Sequence, residues 1–165
     1  MIFWKKVGAL VKKDLALEFR SKEIISTMLI FSFLVIPIFA FSFSPSRQTT
    51  REVFPGIVWV AFTFAGMLGL GRSFTGEREN DCLLGLMLAP LDPTAIYFAK
   101  VIDNFLLMAL MEAVSFPLFL VFFDYRPQGS LWPLLLVIFL GTLGFCIAGT
   151  FLAALSSNAR ASEIL

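Results

Sequence analysis

A single carboxyl group interrupts one of the long uncharged stretches of the chain. Glu112 has no charged neighbour for eight residues before it and eleven after it. A charge within a membrane span costs a few kcal/mol, so we expect Glu112 to face the bundle interior or a water-filled cavity. Two interpretations stay open. Glu112 lies on a substrate path or gate, or it is a protonated acid that hydrogen-bonds between helices, because burial disfavours its charged form.

The residue types that usually perform catalysis are few in this chain. It contains no His, which excludes a Ser-His triad, an HExxH helix and a His-ligated metal. It also lacks the GxxxxGK(S/T) phosphate loop, so it does not bind ATP in that way. Asp103 and Glu112 would lie about 13 Å apart along a helix, too far for two converging acids. We expect Asp103 to be a hydrated helix end.

The remaining candidates for chemistry are equally weak. Cys82 and Cys146 form no CxxC pair, so nothing indicates a disulfide framework, a zinc site or a redox site. No Met, Cys or Tyr stands out as a ligand for haem iron. No platform of aromatic and basic residues indicates nucleic-acid binding. We therefore predict no catalytic residue, no metal site and no enzyme activity.

The composition predicts the kind of scaffold that positions these residues. The chain is 58% hydrophobic and only 15% charged, which is too little charge for a soluble surface and is typical of an all-α, polytopic helical membrane protein. Four predominantly apolar runs are each long enough to cross a hydrocarbon core of about 30 Å. We assign spans to residues 24–43, 53–71, 101–123 and 131–155 within a single transmembrane domain, residues 1–165.

Residues 1–23 predict an amphipathic helix that lies in the membrane interface. At about 100° per residue, Lys and Arg occupy one side and an apolar arc that includes Trp4 occupies the other. We therefore expect the basic face toward water and the aromatic face toward lipid. Asp14 and Glu18 project into the apolar arc. Either the helix frays or admits water there, or this face packs on protein and the two carboxylates meet basic partners.

Residues 75–93 form the most informative segment, because they lie between two spans yet cannot cross the membrane. An acidic start gives way to leucines, and Leu84, Met87 and Leu88 share one helical face. About twelve helical residues cover only about 18 Å. A helix on the lipid surface would carry more Lys and Arg, so we favour a docking helix for a cytoplasmic partner. The predicted docking residues are Glu77, Arg78, Glu79, Asp81, Leu83, Leu84, Met87 and Leu88.

The distribution of basic residues predicts the orientation of the spans. Ten of the 13 Lys and Arg residues lie in the N-terminal helix, the central loop region or the tail. The other three, Arg47, Arg51 and Arg126, lie in the two remaining loops. By the positive-inside rule, both chain ends and the docking segment face the cytoplasm.

Glycine and alanine residues predict where helices approach each other. Gly66, Gly69 and Gly71 leave one end of the second span without side chains at three positions, which favours close helix packing over a ligand role. Gly144 and Ala148 form a small-xxx-small pair in the fourth span. This pair is compatible both with helix contact within one chain and with a dimer seam.

Three stretches of sequence, and the order of the elements that contain them, resemble a known family. They are FPGIVWVAFTFAG (Phe54 to Gly66), RSFTGERENDCLLGLMLAPLDPTAIYFAK (Arg72 to Lys100) and GTLGFCIAGTFLAALSSNARASEIL (Gly141 to Leu165). They are similar to the membrane subunit of ABC exporters of the ABC-2 type. More narrowly, they resemble the CcmB family, the haem exporter permease of cytochrome c maturation.

The resemblance implies a transport complex in which this chain is the permease. It implies a separate ATPase subunit, CcmA, which binds ATP and receives Glu77 to Leu88 as a coupling helix. It also implies the haem-handling subunit CcmC, its small partner CcmD and the haem chaperone CcmE, whose release with haem bound is driven by ATP hydrolysis. The Trp-rich WWD haem motif of CcmC is absent here, so haem is expected in partner subunits and no cofactor in this chain.

The resemblance also carries expectations about location and completeness. It implies a multi-pass protein of the bacterial inner membrane, in contact with lipid. Family members commonly have six spans and only four are counted here, which implies that C-terminal spans are missing. The resemblance also implies a homodimer for the chain at full length. Two alternatives remain: an ABC-2 permease for another cargo, such as a lipid or a drug, and a non-transporting membrane scaffold.

Overall fold

The computed structural model describes residues 2–42, 47–73, 92–125 and 131–162. This part of the chain contains no strand and forms five α-helices: α1 (Ile2–Ser21), α2 (Glu23–Ser42), α3 (Arg47–Ser73), α4 (Pro93–Phe122) and α5 (Leu131–Ser162). Four stretches are long and apolar enough to cross a membrane: Glu23–Ser42, Glu52–Arg72, Pro93–Phe122 and Trp132–Ser156. The prediction of an all-α polytopic membrane protein is confirmed.

Helix α4 begins well before the apolar run that starts at Val101. The carboxylate of Asp92 caps the helix by accepting hydrogen bonds from the hydroxyl and the backbone N–H of Thr94, at 2.7 and 3.0 Å. These two hydrogen bonds lower the pKa of Asp92. Pro93 occupies the first turn, where a missing N–H costs little. Lys100 and Asp103 follow in its next turns, and both side chains are buried.

The core lies where α2, α3 and α4 pack together. Phe62 of α3 and Phe119 of α4 are buried and make an edge-to-face contact, with ring centroids 6.3 Å apart. Met28 of α2 belongs to the same cluster as Ala61 and Ala65 of α3, which are also fully buried. Small side chains on α3 thus leave room for large side chains from its neighbours.

Two of the three packing glycines predicted in α3 lie at close helix contacts. A Cβ atom on Gly66 would lie 2.6 Å from the ring of Phe145 in α5, and one on Gly69 would lie 2.6 Å from the sulfur of Met28 in α2. A Cβ atom on Gly71 would meet nothing within 4 Å. The absence of a side chain therefore matters for helix contact at the first two positions only.

The small-residue pair of α5 lies in a different setting. A Cβ atom on Gly144 would meet nothing within 4 Å, and both Gly144 and Ala148 are exposed. Helix α5 approaches α3 through Gly141 instead, where a Cβ atom would collide with the ring of Trp59. Within the described ranges, the Gly144–Ala148 pair therefore faces outward, and a dimer seam at this pair stays a prediction.

Helices α1 and α2 are joined by a tight corner at Lys22, whose φ of 57° lies in the left-handed region. The N–H of Lys22 donates to the carbonyl of Glu18 at 2.6 Å, which closes α1. The N–H of Ile25 donates to the carboxylate of Glu18 at 2.9 Å, in the first turn of α2. Glu18 therefore helps to end one helix and to cap the next.

Candidate functional site

The eight residues predicted to dock a cytoplasmic partner lie outside the described residues. The structure does describe the helix ends on either side of this segment, α3 as far as Ser73 and α4 from Pro93. Charged side chains join both of these ends to the N-terminal helices. This group is termed the charged end and consists of Asp14, Glu18, Glu23, Arg72 and Lys100.

A buried ion pair joins α1 to α4 at the charged end. Lys100 Nζ lies 2.9 Å from Asp14 Oδ2, and the two side chains are only 6% and 9% exposed. Lys13 Nζ lies 2.9 Å from the other oxygen, Asp14 Oδ1, and its side chain is half-exposed. Burying a charge is costly unless it is paired, and here the carboxylate has an ammonium at each oxygen. Asp14 therefore packs on protein, against basic partners.

The other two carboxylates of the charged end, Glu18 and Glu23, lie at the start of α2 or contact it. Glu18 is buried, and its carboxylate accepts a hydrogen bond from the backbone N–H of Ile25. Glu23, in the first turn of α2, forms an ion pair with Arg72 in the last turn of α3. Both side chains of this pair are exposed, so its contribution to stability is small. The position of the pair is informative, because it lies at the end of α3 that leads into the predicted docking segment.

Helix α4 covers the face of α1 that carries the two acids. Val7 is buried and packs against Ala95 and Ala99, whose small side chains allow the two helices to approach. Part of the apolar arc of α1 therefore packs on α4, which favours the interpretation that this face contacts protein. Trp4 remains 65% exposed, and its ring makes an edge contact with that of Phe3 at a centroid distance of 5.6 Å.

A second polar group lies between α4 and α5, farther along both helices. Three side chains spaced four residues apart on α4 each contact one of three side chains with the same spacing on α5. Residue numbers rise along α4 where they fall along α5, because the two helices are antiparallel. The group is termed the polar seam. It consists of the pairs Asn104–Thr150 at 3.0 Å, Met108–Cys146 at 3.5 Å and Glu112–Thr142 at 2.6 Å.

Glu112 is the only carboxyl group of the polar seam. Its side chain is 7% exposed, and its Oε1 atom accepts the hydrogen bond that the Thr142 hydroxyl donates. A groove of about 690 Å³ runs between the two helices beside it, and the lining is apolar except for Glu112 and Thr142. The geometry is compatible with both interpretations of Glu112, since an interhelical hydrogen bond and a position on the groove wall occur together.

The expectation that Asp103 is a hydrated helix end is wrong. Its side chain is 4% exposed. The reason is the early start of α4 at Pro93, which places Asp103 in the third turn of a packed helix instead of at its beginning. Across residues 2–42, 47–73, 92–125 and 131–162, no group of three or more His, Cys, Asp or Glu residues is placed to hold a metal ion.

The sequence matches one protein family over almost its whole length. The family described as CcmB protein matches residues 5–165. The chain belongs to the CcmB family. A relative from Escherichia coli strain K12, named "Heme exporter protein B", is 33% identical over 110 residues, which are 67% of this chain and 48% of that protein.

Relatives of the same name in other bacteria align over more of the chain. The one from Rhodobacter capsulatus is 28% identical over 157 residues, which are 95% of this chain and 72% of that protein. The one from Pseudomonas aeruginosa is 28% identical over 156 residues, which are 94% of this chain and 70% of that protein. The chain thus spans about half the length of the Escherichia coli relative and about 70% of the other two.

Several residues of these two groups are not recognisable from the sequence as site residues. The sequence places Lys100 in a loop because the predicted third span begins just after it, yet Lys100 forms the buried pair with Asp14. Thr142 and Thr150 are small polar residues in an apolar run, and no local pattern identifies them as site residues. The four-residue spacing of Asn104, Met108 and Glu112 on α4 is the one local signal that indicates a shared packed face.

Proposed function

We propose that this chain is the transmembrane permease subunit of an ABC complex that serves haem delivery in cytochrome c maturation. The main support is the match to the CcmB family over residues 5–165, in a chain with four helices able to cross a membrane. Its relatives are named "Heme exporter protein B", which supports haem as the cargo of the complex. In this proposal the chain is a transport component and not an enzyme.

The proposed coupling element is the segment from Glu77 to Leu88, which docks on the ATPase subunit CcmA. The charged end supports a mechanical role for this segment. The Glu23–Arg72 pair ties the helix before it to α2, and the Asp14–Lys100 pair ties the helix after it to α1. A displacement of the segment would therefore move α3 and α4 together with the N-terminal helices.

The ATP and the haem belong to other subunits in this proposal. CcmA binds ATP in the cytoplasm, on the side where the positive-inside rule puts both ends of this chain and the coupling segment. CcmC, with CcmD, handles haem, and ATP hydrolysis drives release of the haem-loaded chaperone CcmE. This chain, paired with a second copy, transmits the movement across the inner membrane and binds no cofactor.

Co-purification with the ATPase tests the docking step. The chain is captured in detergent and the bound ATPase is quantified for the wild type and for the double variant Leu84→Asp with Met87→Asp. We expect capture of the ATPase to fall by about 100-fold or more, because stranding an unpaired charge in an apolar contact costs about 3 kcal/mol or more.

The matched control is Leu86→Asp, which introduces the same charge on the opposite face of the predicted helix. This variant should capture the ATPase as the wild type does. Wild-type capture by the double variant would show that the docking assignment is wrong. If the wild type captures the ATPase but does not change its rate of ATP hydrolysis, the scaffold alternative is favoured over a coupling permease.

A further inference from the structure

Helix α1 has three faces in the folded chain, whereas its amphipathic sequence pattern suggests only two. One face carries Asp14 and Glu18 and packs on the rest of the protein. A second carries most of the Lys and Arg residues. Between them runs a third face, termed the open stripe, which consists of Trp4, Gly8, Val11, Leu15 and Phe19.

The open stripe is apolar and accessible. Trp4 and Phe19, at its two ends, are 65% and 56% exposed. Gly8 lowers the surface between them, since a Cβ atom there would meet nothing within 4 Å. The stripe lines a groove of about 510 Å³, to which Ile102 of α4 and Lys12 also contribute. An apolar groove is thus bordered by an ammonium group.

The connections of α1 place it at the level where the spans enter the membrane. Helix α2, the first span, begins at Glu23, and only Lys22 separates it from the end of α1. At the other end of α1, Val7 packs on Ala95 and Ala99 in the first two turns of α4, another span. An apolar stripe held at this level adjoins the boundary between headgroups and acyl chains.

The outward charge of α1 is wholly basic, because both of its acids point inward. Asp14 is paired with Lys100 and Lys13, and Glu18 binds a backbone N–H. Lys5 and Lys12 are exposed and one heptad apart, which puts them on the same side of the helix at a distance of about 10 Å. Both border the open stripe. The surface is therefore complementary to a molecule with an anionic head and an apolar body.

We propose that the open stripe, with Lys5 and Lys12, is a docking surface for anionic phospholipid. The acyl chains contact the stripe, and the two ammonium groups pair with the headgroup phosphates. An amphipathic helix gains membrane affinity from buried apolar area together with attraction to anionic lipid. This surface requires neither haem nor an ATPase, so it stands independently of the proposed function.

Contact quenching of Trp4 tests the proposal. The chain with Trp59→Phe and Trp132→Phe, which keeps Trp4 as its reporter, is placed in nanodiscs of phosphatidylcholine with a minor fraction of phosphatidylglycerol. Bromine is carried on the acyl chains of one lipid or the other at equal mole fraction. Attraction of about 1 kcal/mol per lysine predicts that phosphatidylglycerol is preferred by about fivefold for each lysine. Brominated phosphatidylglycerol should therefore quench Trp4 more strongly.

The variant Lys5→Gln with Lys12→Gln should abolish this preference while both lipids continue to quench Trp4. The matched control keeps Trp59 alone, in the middle of α3 and 36% exposed, and should show no preference between the two lipids. Equal quenching of Trp4 by both lipids in the wild-type background would overturn selection of anionic lipid. Absence of quenching by either lipid would overturn lipid contact altogether and indicate a protein that covers the stripe.

Discussion

The charged end and the polar seam both hold polar side chains among apolar helices, but with different chemistry. At the charged end, full charges face each other, as in the buried pair Asp14–Lys100. In the polar seam, hydroxyl, amide and sulfur groups meet, and the carboxyl group of Glu112 faces a hydroxyl rather than a cation. The charged end lies where spans begin, whereas the seam runs on along α4 and α5, where an unpaired charge would cost more.

The difference predicts how firmly each region holds its helices. Breaking a buried ion pair leaves an uncompensated charge, which is far more costly than losing one interhelical hydrogen bond. The charged end also adjoins the segment proposed to contact the ATPase. The stronger contacts between helices would then lie at the charged end, beside the segment proposed to contact the ATPase. The weaker contacts would lie in the polar seam, where α4 and α5 could shift relative to each other.

The largest effect is expected from Lys100→Met. This change leaves the buried carboxylate of Asp14 with the half-exposed Lys13 as its remaining cation. The expected loss of unfolding free energy is therefore about 3 kcal/mol, the lower end of the range for breaking a buried ion pair. Denaturant unfolding in detergent, followed by tryptophan fluorescence, measures it. Adding Asp14→Leu removes both members of the pair and should recover most of the loss. If the double variant is as unstable as the single one, the ion pair is not the connection that holds α1 on α4.

A smaller effect is expected in the polar seam. Thr142→Val removes the hydroxyl that donates to Glu112, and interhelical hydrogen bonds in membranes contribute about 0.6 kcal/mol and at most about 1.7 kcal/mol. The same unfolding experiment measures it. Glu112→Gln keeps an oxygen that can accept this hydrogen bond and should be near neutral for stability. A loss for Thr142→Val as large as that for Lys100→Met would remove the distinction between the two regions.

The helical spans follow from composition, because an apolar run of this length has few alternatives to a membrane helix. The partners of charged residues do not follow from it. The sequence shows that Asp14 and Glu18 point into an apolar arc, but Lys100 lies in a distant segment and no local pattern identifies it as the partner of Asp14. For Asp103 the prediction failed in the other direction. The predicted span began at Val101, which placed Asp103 at a hydrated helix end, whereas the helix begins at Pro93 and buries Asp103.

We propose that the chain couples ATP hydrolysis in CcmA to release of the haem-loaded chaperone. The most direct measurement is the rate of ATP-dependent chaperone release from membranes that contain the complete complex, with the wild type and with Leu84→Asp, Met87→Asp. If the segment couples the two subunits, the variant still permits haem loading of the chaperone but stops its release. Equal release rates with both chains would contradict it.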